Sequence, residues 1–125
     1  MNIAQDDAID RPPTSATPAL PFTAPWLLAP MEGVTEPCFR SLVLARNDAA
    51  HLGGAFTEFV RVNDVPVPAW VLENRLGRER FPQPVGIQLM GANLEALAET
   101  ALRAEAIGAP VVDLNFGCPA KGALQ

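Results

Sequence analysis

Residues 85–115 read VGIQLMGANLEALAETALRAEAIGAPVVDLN and contain a complete strand–helix–strand pattern. It begins with a short apolar run at 85–90, which is typical of a buried β-strand. Asn93 suits the N-cap of the amphipathic helix that follows, and Gly108 suits the position just after its C-terminus. A second apolar run at 111–115 predicts another strand. The order strand, helix, strand predicts a parallel α/β unit.

The same alternation extends upstream of this stretch. Short apolar runs predict strands at 26–29 and 54–58, and Thr35 suits the N-cap of a helix between them. The proline-broken stretch 62–81 predicts a loop with one helical turn around 70–74. The apolar positions of the two main helices recur at helical spacing and are expected to face the core. They are Cys38, Phe39, Leu42 and Val43 in the first helix, and Leu94, Leu97, Ala98, Ala101 and Leu102 in the second.

Residues 1–25 differ in composition from the rest of the chain. They are rich in Pro, Ala, Thr and Asp and show neither helical nor strand periodicity. Such a segment cannot bury enough apolar surface to fold, so it predicts a disordered tail. Residues 26–125 are then expected to form a single folded domain.

Length, charge and cysteine content exclude several classes of protein. The chain has 125 residues, a formal net charge of −5 and two cysteines. It has no apolar run of the roughly 20 residues that cross a bilayer, which excludes a membrane span. The acidic N-terminus does not suit a secretion signal, and two cysteines do not indicate a disulfide scaffold. A cytoplasmic protein is expected, and the acidic balance does not suggest a free-standing nucleic-acid binder.

Polar or glycine-rich segments follow each predicted strand, at 29–33, 57–61, 90–91 and 115–121. Because the carboxyl ends of parallel strands meet at one edge, these segments are expected to converge there. That layout is typical of an α/β-barrel active site. An open sheet also binds ligands at the carboxyl ends of its strands, so periodicity leaves the topology open.

Individual residues in these segments each have two interpretations. Cys118 is either a small buried side chain or a displayed functional thiol. The amide of Gln88, in an apolar strand, needs partners from a ligand or from a neighbouring loop. Glu58 and Arg61 form either a solvated pair or a substrate contact. Asp113 is predicted to point away from the site or to cap a turn. The sequence shows no metal-ligand spacing and no glycine-rich nucleotide motif.

Four segments together resemble the tRNA-dihydrouridine synthase family. They are LAPMEGV at 28–34, TEFVR at 57–61, VGIQLMG at 85–91 and VDLNFGCPAK at 112–121. Asn-x-Gly-Cys-Pro in the last segment is the most specific match. The first two segments are similar to the bacterial C-type branch, which reduces uridine 16 in the tRNA D-loop. The resemblance implies a flavin-dependent oxidoreductase on a TIM barrel, followed by a small helical domain.

The resemblance also implies roles for residues at the strand ends. FMN, reduced by NADPH, would pass hydride to C6 of the uracil ring, and Cys118 would be the acid that protonates C5. Thiols suit this task because they are mostly protonated at neutral pH yet can release the proton. Pro30, Met31 and Glu32 would line the flavin, and Gln88 would hydrogen-bond the isoalloxazine edge.

The substrate side of the site follows from the same resemblance. Arg61 and Asn115 match positions that contact the tRNA in this branch. The implied partners are tRNA and NADPH, with no membrane and no metal.

The length is short for a barrel, which needs about 250 residues and eight strands. We therefore expect the N-terminal half of a TIM barrel, with about four strand–helix units. The C-terminal half and the helical tRNA-binding domain would be absent, so this chain is expected to be inactive alone. Its exposed half barrel is expected to self-associate. Two alternatives are a non-catalytic half-barrel interaction module and a fragment of another flavin barrel that acts on a pyrimidine.

Overall fold

The computed structural model describes residues 19–118. Strands and helices alternate along this part of the chain, as predicted, except that a further two-residue strand at 60–61 follows the second strand without a helix between them. They are β1 (Trp26–Leu28), α1 (Pro37–Arg46), β2 (Leu52–Phe56), β3 (Val60–Arg61), α2 (Ala69–Leu76), β4 (Val85–Met90), α3 (Leu94–Ala106) and β5 (Val112–Leu114).

The strands form a parallel sheet whose spatial order follows the chain. β1 pairs with β2, and β2 pairs with the beginning of β4. β3 continues the path of β2 after a bend and pairs with the end of β4. β5 pairs with the other side of β4. Doubly wound sheets reverse the strand order at a switch point, whereas barrels keep it. The described strands therefore match part of a barrel, which resolves the choice that the sequence left open.

The three helices lie on one face of this sheet. α2 and α3 contact each other, and both contact β4. Arg40 of α1 donates hydrogen bonds to carbonyls at the end of α2, which places α1 beside it. The core lies between these helices and the strands β3 and β4, and its buried members are Val60, Val62, Leu72, Ile87, Leu89, Ala96 and Ala104.

The predicted buried faces of α1 and α3 were right only in part. In α1 the buried residues are Arg40 and Leu44, whereas Cys38 is exposed. In α3 they are Ala96, Thr100 and Ala104, which repeat every four residues. Their small side chains let the helix approach the sheet closely. Leu97 and Ala101 flank this row, while Leu94 and Leu102 are 79% and 60% exposed.

Two predicted irregular segments contain more structure than expected. The predicted loop at 62–81 contains all of α2, which begins after Pro68 and ends at Gly77, where φ is +79°. At the N-terminal side, Phe22 and Thr23 belong to the predicted tail, yet they contact β2. The Phe22 ring packs edge-on against Phe56 at 5.6 Å, and the Thr23 N–H donates to the Gly53 carbonyl at 3.0 Å. The predicted boundary at residue 25 is therefore too late, and residues 1–18 lie outside the described part.

Candidate active site at the carboxyl ends of the strands

A chain of side-chain hydrogen bonds connects β4 to the turn that follows β5. Gln88 of β4 stands opposite Asp113 of β5 in the sheet register. Its Nε2 donates to Asp113 Oδ2 at 2.6 Å, and its Oε1 accepts from Asn115 Nδ2 at 3.1 Å. Asn115 Oδ1 in turn accepts the backbone N–H of Gly117 at 3.0 Å. Because Cys118 is the next residue, the turn that carries the thiol is connected to Gln88.

This chain of bonds resolves two of the alternatives left by the sequence. Gln88 is only 7% exposed, and its amide finds partners in the protein itself, on β5 and in the turn beyond it. The prediction for Asp113 was wrong, because its carboxylate faces Gln88. Strand alternation explains the arrangement, since Asp113 and Asn115 are two residues apart and share a face of the sheet.

Two side chains, those of Thr35 and Glu58, fix the backbone of the loop after β1. The backbone N–H of Met31 donates to Thr35 Oγ1 at 2.8 Å, and that hydroxyl donates back to the Met31 carbonyl at 3.1 Å. The N–H of Gly33 donates to Glu58 Oε2 at 2.6 Å. Thr35 is therefore fully buried within the loop and is not the predicted N-cap, a position held by Glu36.

Arg40 supports this loop from below. Its Nη1 donates to the Thr35 carbonyl at 2.6 Å, and its Nη2 donates to the carbonyls of Arg75 and Leu76 at the end of α2. Burial lowers the pKa of the Arg40 guanidinium, while the nearby Glu58 carboxylate raises it. The side chain thus joins α1, α2 and the loop after β1 through one desolvated cation.

Glu58 is part of the same support and does not pair with Arg61. Its Oε1 lies 3.5 Å from Arg75 Nη1, while its other oxygen binds Gly33. Arg61 is exposed, and its guanidinium carbon lies 6.0 Å from the centre of the Phe59 ring. The Glu58–Arg61 pair considered from sequence is therefore wrong, because Glu58 pairs with Arg75 instead.

The structure brings some of the predicted residues together and leaves others apart. Gln88, Asn115 and the half-buried Cys118 belong to one connected group. Pro30, Met31 and Glu32 lie on the loop after β1, where Pro30 is half-buried and the other two are exposed. These two groups and Arg61 share the carboxyl edge of the parallel sheet.

Three residues of this site were missed or misjudged from sequence. Thr35 and Asp113 were given other roles, and Arg40 was given none. Two signals were present in the sequence. Arg40 lies four residues before Leu44, so it shares the buried face of α1, and the alternation in strand 111–115 places Asp113 beside Asn115. Neither signal indicates which groups on other strands and helices these side chains bond to.

The chemistry of the group suits a planar heterocycle such as a flavin. Gln88 has one further N–H and one further acceptor site beyond its two bonds, and Asn115 links it to the turn that carries the half-buried Cys118. A ring whose edge carries both donors and acceptors can use both. Among residues 19–118 no set of three His, Cys, Asp or Glu side chains could hold a metal ion. Within the same range no helix has the length and apolar character that a membrane span requires.

Comparisons with known proteins show the family of this chain. A family model described as dihydrouridine synthase matches residues 27–124. A tRNA-dihydrouridine(16) synthase of Azotobacter vinelandii is 43% identical over 103 residues, covering 75% of this chain and 31% of that protein. The protein of the same name from Salmonella typhimurium is 44% identical over 101 residues, covering 76% and 31%. That of Haemophilus influenzae is 41% identical over 102 residues, covering 76% and 32%. The chain thus spans about a third of the length of these relatives.

Proposed function

We propose that this chain, which belongs to the dihydrouridine synthase family, provides part of the active site of an enzyme that reduces uridine to 5,6-dihydrouridine in tRNA. The family is one of oxidoreductases that in general use flavin. The finer proposal is that the cofactor is FMN, that NADPH reduces it, and that the target is uridine 16 in the cytoplasm. Residues 26–125 would form a partial barrel that carries this site.

The observation that carries the proposal is the connection between Gln88 and the turn of Cys118. The Gln88 amide is buried, fixed by bonds on both sides and still has hydrogen-bonding capacity. We assign it to the edge of the isoalloxazine ring. Asn115 joins this amide to the turn before Cys118, so the cofactor contact and the thiol are held in a fixed relation.

Reduction of the uracil ring needs a hydride at C6 and a proton at C5. The reduced flavin, when bound, supplies the hydride. The Cys118 thiol supplies the proton from its Sγ, so that the C5–C6 double bond gains two hydrogens and the thiol becomes a thiolate. Cys118 is a free cysteine and is half-buried. Protonation by a positioned acid contributes roughly 10²–10⁴-fold to the rate.

The loop after β1 is proposed as the other boundary of the flavin site. Pro30, Met31 and Glu32 would line the ring mainly through backbone atoms. The Thr35 hydroxyl and the Glu58 carboxylate hold this backbone at Met31 and Gly33. A backbone fixed in this way needs little further ordering when a ligand binds.

We assign the tRNA contact to Arg61 and Asn115. Arg61 is exposed at the end of β3, where a guanidinium can meet a phosphate or a base. Asn115 has one further N–H beyond its bonds to Gln88 and Gly117. We also propose that this polypeptide self-associates, because β1 and β5 each pair with a single strand within residues 19–118.

The proposal is tested by transplanting the site. Residues 27–118 of this chain replace the matching segment of the Azotobacter vinelandii relative, and nucleoside mass spectrometry measures dihydrouridine in tRNA from a strain that lacks the modification. We expect the chimera to form dihydrouridine. Cys118→Ala should lower the rate by about 10²-fold or more, whereas Cys38→Ala, which changes the exposed cysteine of α1, should keep it. Equal rates for the two variants would contradict the role of Cys118.

Cofactor binding is tested on the 125-residue polypeptide itself. The purified protein is mixed with FMN, desalted and examined by visible absorption. A retained flavin band supports a cofactor site among the residues discussed above. A Gln88→Leu variant should retain less FMN, and a variant that binds as well as the original chain would count against the assignment of Gln88.

A further inference from the structure

Asp113 has no role in the function proposed above, yet its carboxylate forms a specific hydrogen bond within the site. It lies half-buried in an otherwise apolar strand between Val112 and Leu114. A carboxylate in such surroundings costs free energy unless it is hydrogen-bonded. Its Oδ2 accepts from Gln88 Nε2 at 2.6 Å, a distance typical of a bond strengthened by charge.

The bonds on either side of Gln88 have a fixed direction. The carboxylate of Asp113 can only accept, and the backbone N–H of Gly117 can only donate. The amides of Gln88 and Asn115 lie between these two groups, so each has one orientation that satisfies both neighbours. The Nε2 of Gln88 must face Asp113, and its Oε1 must face Asn115.

We propose that Asp113 is a positioning residue that fixes which end of the Gln88 amide meets the flavin. This inference rests on the proposed function, in which Gln88 contacts the isoalloxazine edge. That edge alternates carbonyl oxygens with an N–H, so a glutamine that rotated by half a turn would oppose acceptor to acceptor. Through Gln88 and then Asn115, the same carboxylate stabilises the turn that carries Cys118.

The first test examines Gln88 without any cofactor. Nuclear magnetic resonance of the 125-residue protein measures hydrogen exchange of the side-chain amides of Gln88 and Asn115. Asp113→Leu should speed the exchange of the Gln88 amide about tenfold or more, because its acceptor is lost. Asp113→Asn, whose carbonyl oxygen still accepts, should restore most of the protection. The backbone amides of Ile87 and Leu89 report whether β4 stays intact, and Asp64→Leu, at an exposed loop position, is the matched control.

The second test measures FMN affinity in the same variants. We expect about tenfold weaker binding for Asp113→Leu, little change for Asp113→Asn and none for Asp64→Leu. Unchanged exchange of the Gln88 amide in Asp113→Leu would overturn the positioning role, as would unchanged FMN affinity. If the original chain binds no FMN, the affinity is measured in the chimera with the Azotobacter vinelandii relative, while the exchange measurement still decides what Asp113 does to Gln88; a chimera that binds no FMN would contradict the proposed function alone.

Discussion

Glu58 accepts the backbone N–H of Gly33 at 2.6 Å, and this contact joins the loop after β1 to the bend between β2 and β3. The Glu58 side chain is 12% exposed, while Gly33, its partner in this hydrogen bond, lies at the surface. Its ion pair with Arg75 adds little, because the Arg75 side chain is 43% exposed and solvent screens the attraction. The value of Glu58 therefore lies mainly in holding the backbone of the proposed flavin loop.

Replacing Glu58 tests this interpretation. Glu58→Ala should lower the free energy of unfolding by about 1–2 kcal/mol, the cost of losing a hydrogen bond to a charged group. Glu58→Gln keeps an acceptor for the Gly33 N–H and should cost less. Urea denaturation measures both. Glu99→Gln, which removes the exposed pair with Arg103, serves as the control and should cost no more than about 0.5 kcal/mol. Equal losses for Glu58→Ala and Glu99→Gln would show that the contact with Gly33 contributes nothing.

Arg40 should be intolerant of even a conservative change. Lysine keeps the charge but cannot reproduce the planar arrangement of donors toward the carbonyls of Thr35, Arg75 and Leu76. We expect Arg40→Lys to lower the free energy of unfolding by about 2–4 kcal/mol. Arg46→Lys, at the exposed end of α1, should change it by less than about 0.5 kcal/mol. Urea denaturation measures both variants, and equal losses of unfolding free energy would contradict the prediction.

The lowered pKa of Arg40 fixes the expected pH dependence of this cost. A base whose pKa is lower in the folded protein binds fewer protons there, so stability rises with pH only while the group titrates. Arginine starts from a value far above neutrality and keeps its proton in proteins. The difference between Arg40→Met, which adds no titratable group, and the original chain should therefore be flat between about pH 6 and 9. A difference that changed across neutrality would point to another titrating group.

Gly91, directly after β4, should not accept a larger side chain. A Cβ there would overlap the carbonyl oxygen of Val62, a backbone atom whose position β3 fixes. Gly91→Ala should cost about 1–3 kcal/mol of unfolding free energy. Gly117→Ala is the matched control, because no atom of residues 19–118 lies within 4 Å of a Cβ placed there and its φ is not positive. Thermal denaturation that ranked the two variants equally would contradict the close approach at Gly91.

Self-association through the open strand edges can be blocked by a charge. Trp26 lies on β1 and is 76% exposed, whereas Trp70 lies on α2 and is 64% exposed. Trp26→Lys should shift the 125-residue protein toward the monomer, because charged side chains on an edge strand oppose pairing. Trp70→Lys removes a tryptophan of similar exposure away from the sheet and should not. Sedimentation velocity measures both, and an original chain that is already monomeric would refute the proposal.

Local sequence patterns were enough to predict the class of fold. They also predicted that the polar segments after the strands meet at the carboxyl edge of the sheet. Short apolar runs and an amphipathic helix between Asn93 and Gly108 are local patterns, and the side chain of Asn93 does cap α3. The motifs at 112–121 and at the other strand ends also identified the family. A site that needs particular residues in a fixed order along the chain can be recognised as sequence motifs. These features depend on neighbours along the chain.

Only the tertiary structure shows which side chains form hydrogen bonds with each other and which surfaces pack together. The sequence carries Gln88, Asp113 and Asn115 without saying that they are bonded, because strand register brings them together across 25 and 27 residues. It also contains Arg40, but not the information that the Nη2 of this side chain donates to carbonyls at the end of α2. The buried face of α3 was misjudged for the same reason, since close packing on the sheet favours the small row of Ala96, Thr100 and Ala104 over the larger leucines. Burial and hydrogen bonding depend on which surfaces meet, and that is fixed only when the elements pack.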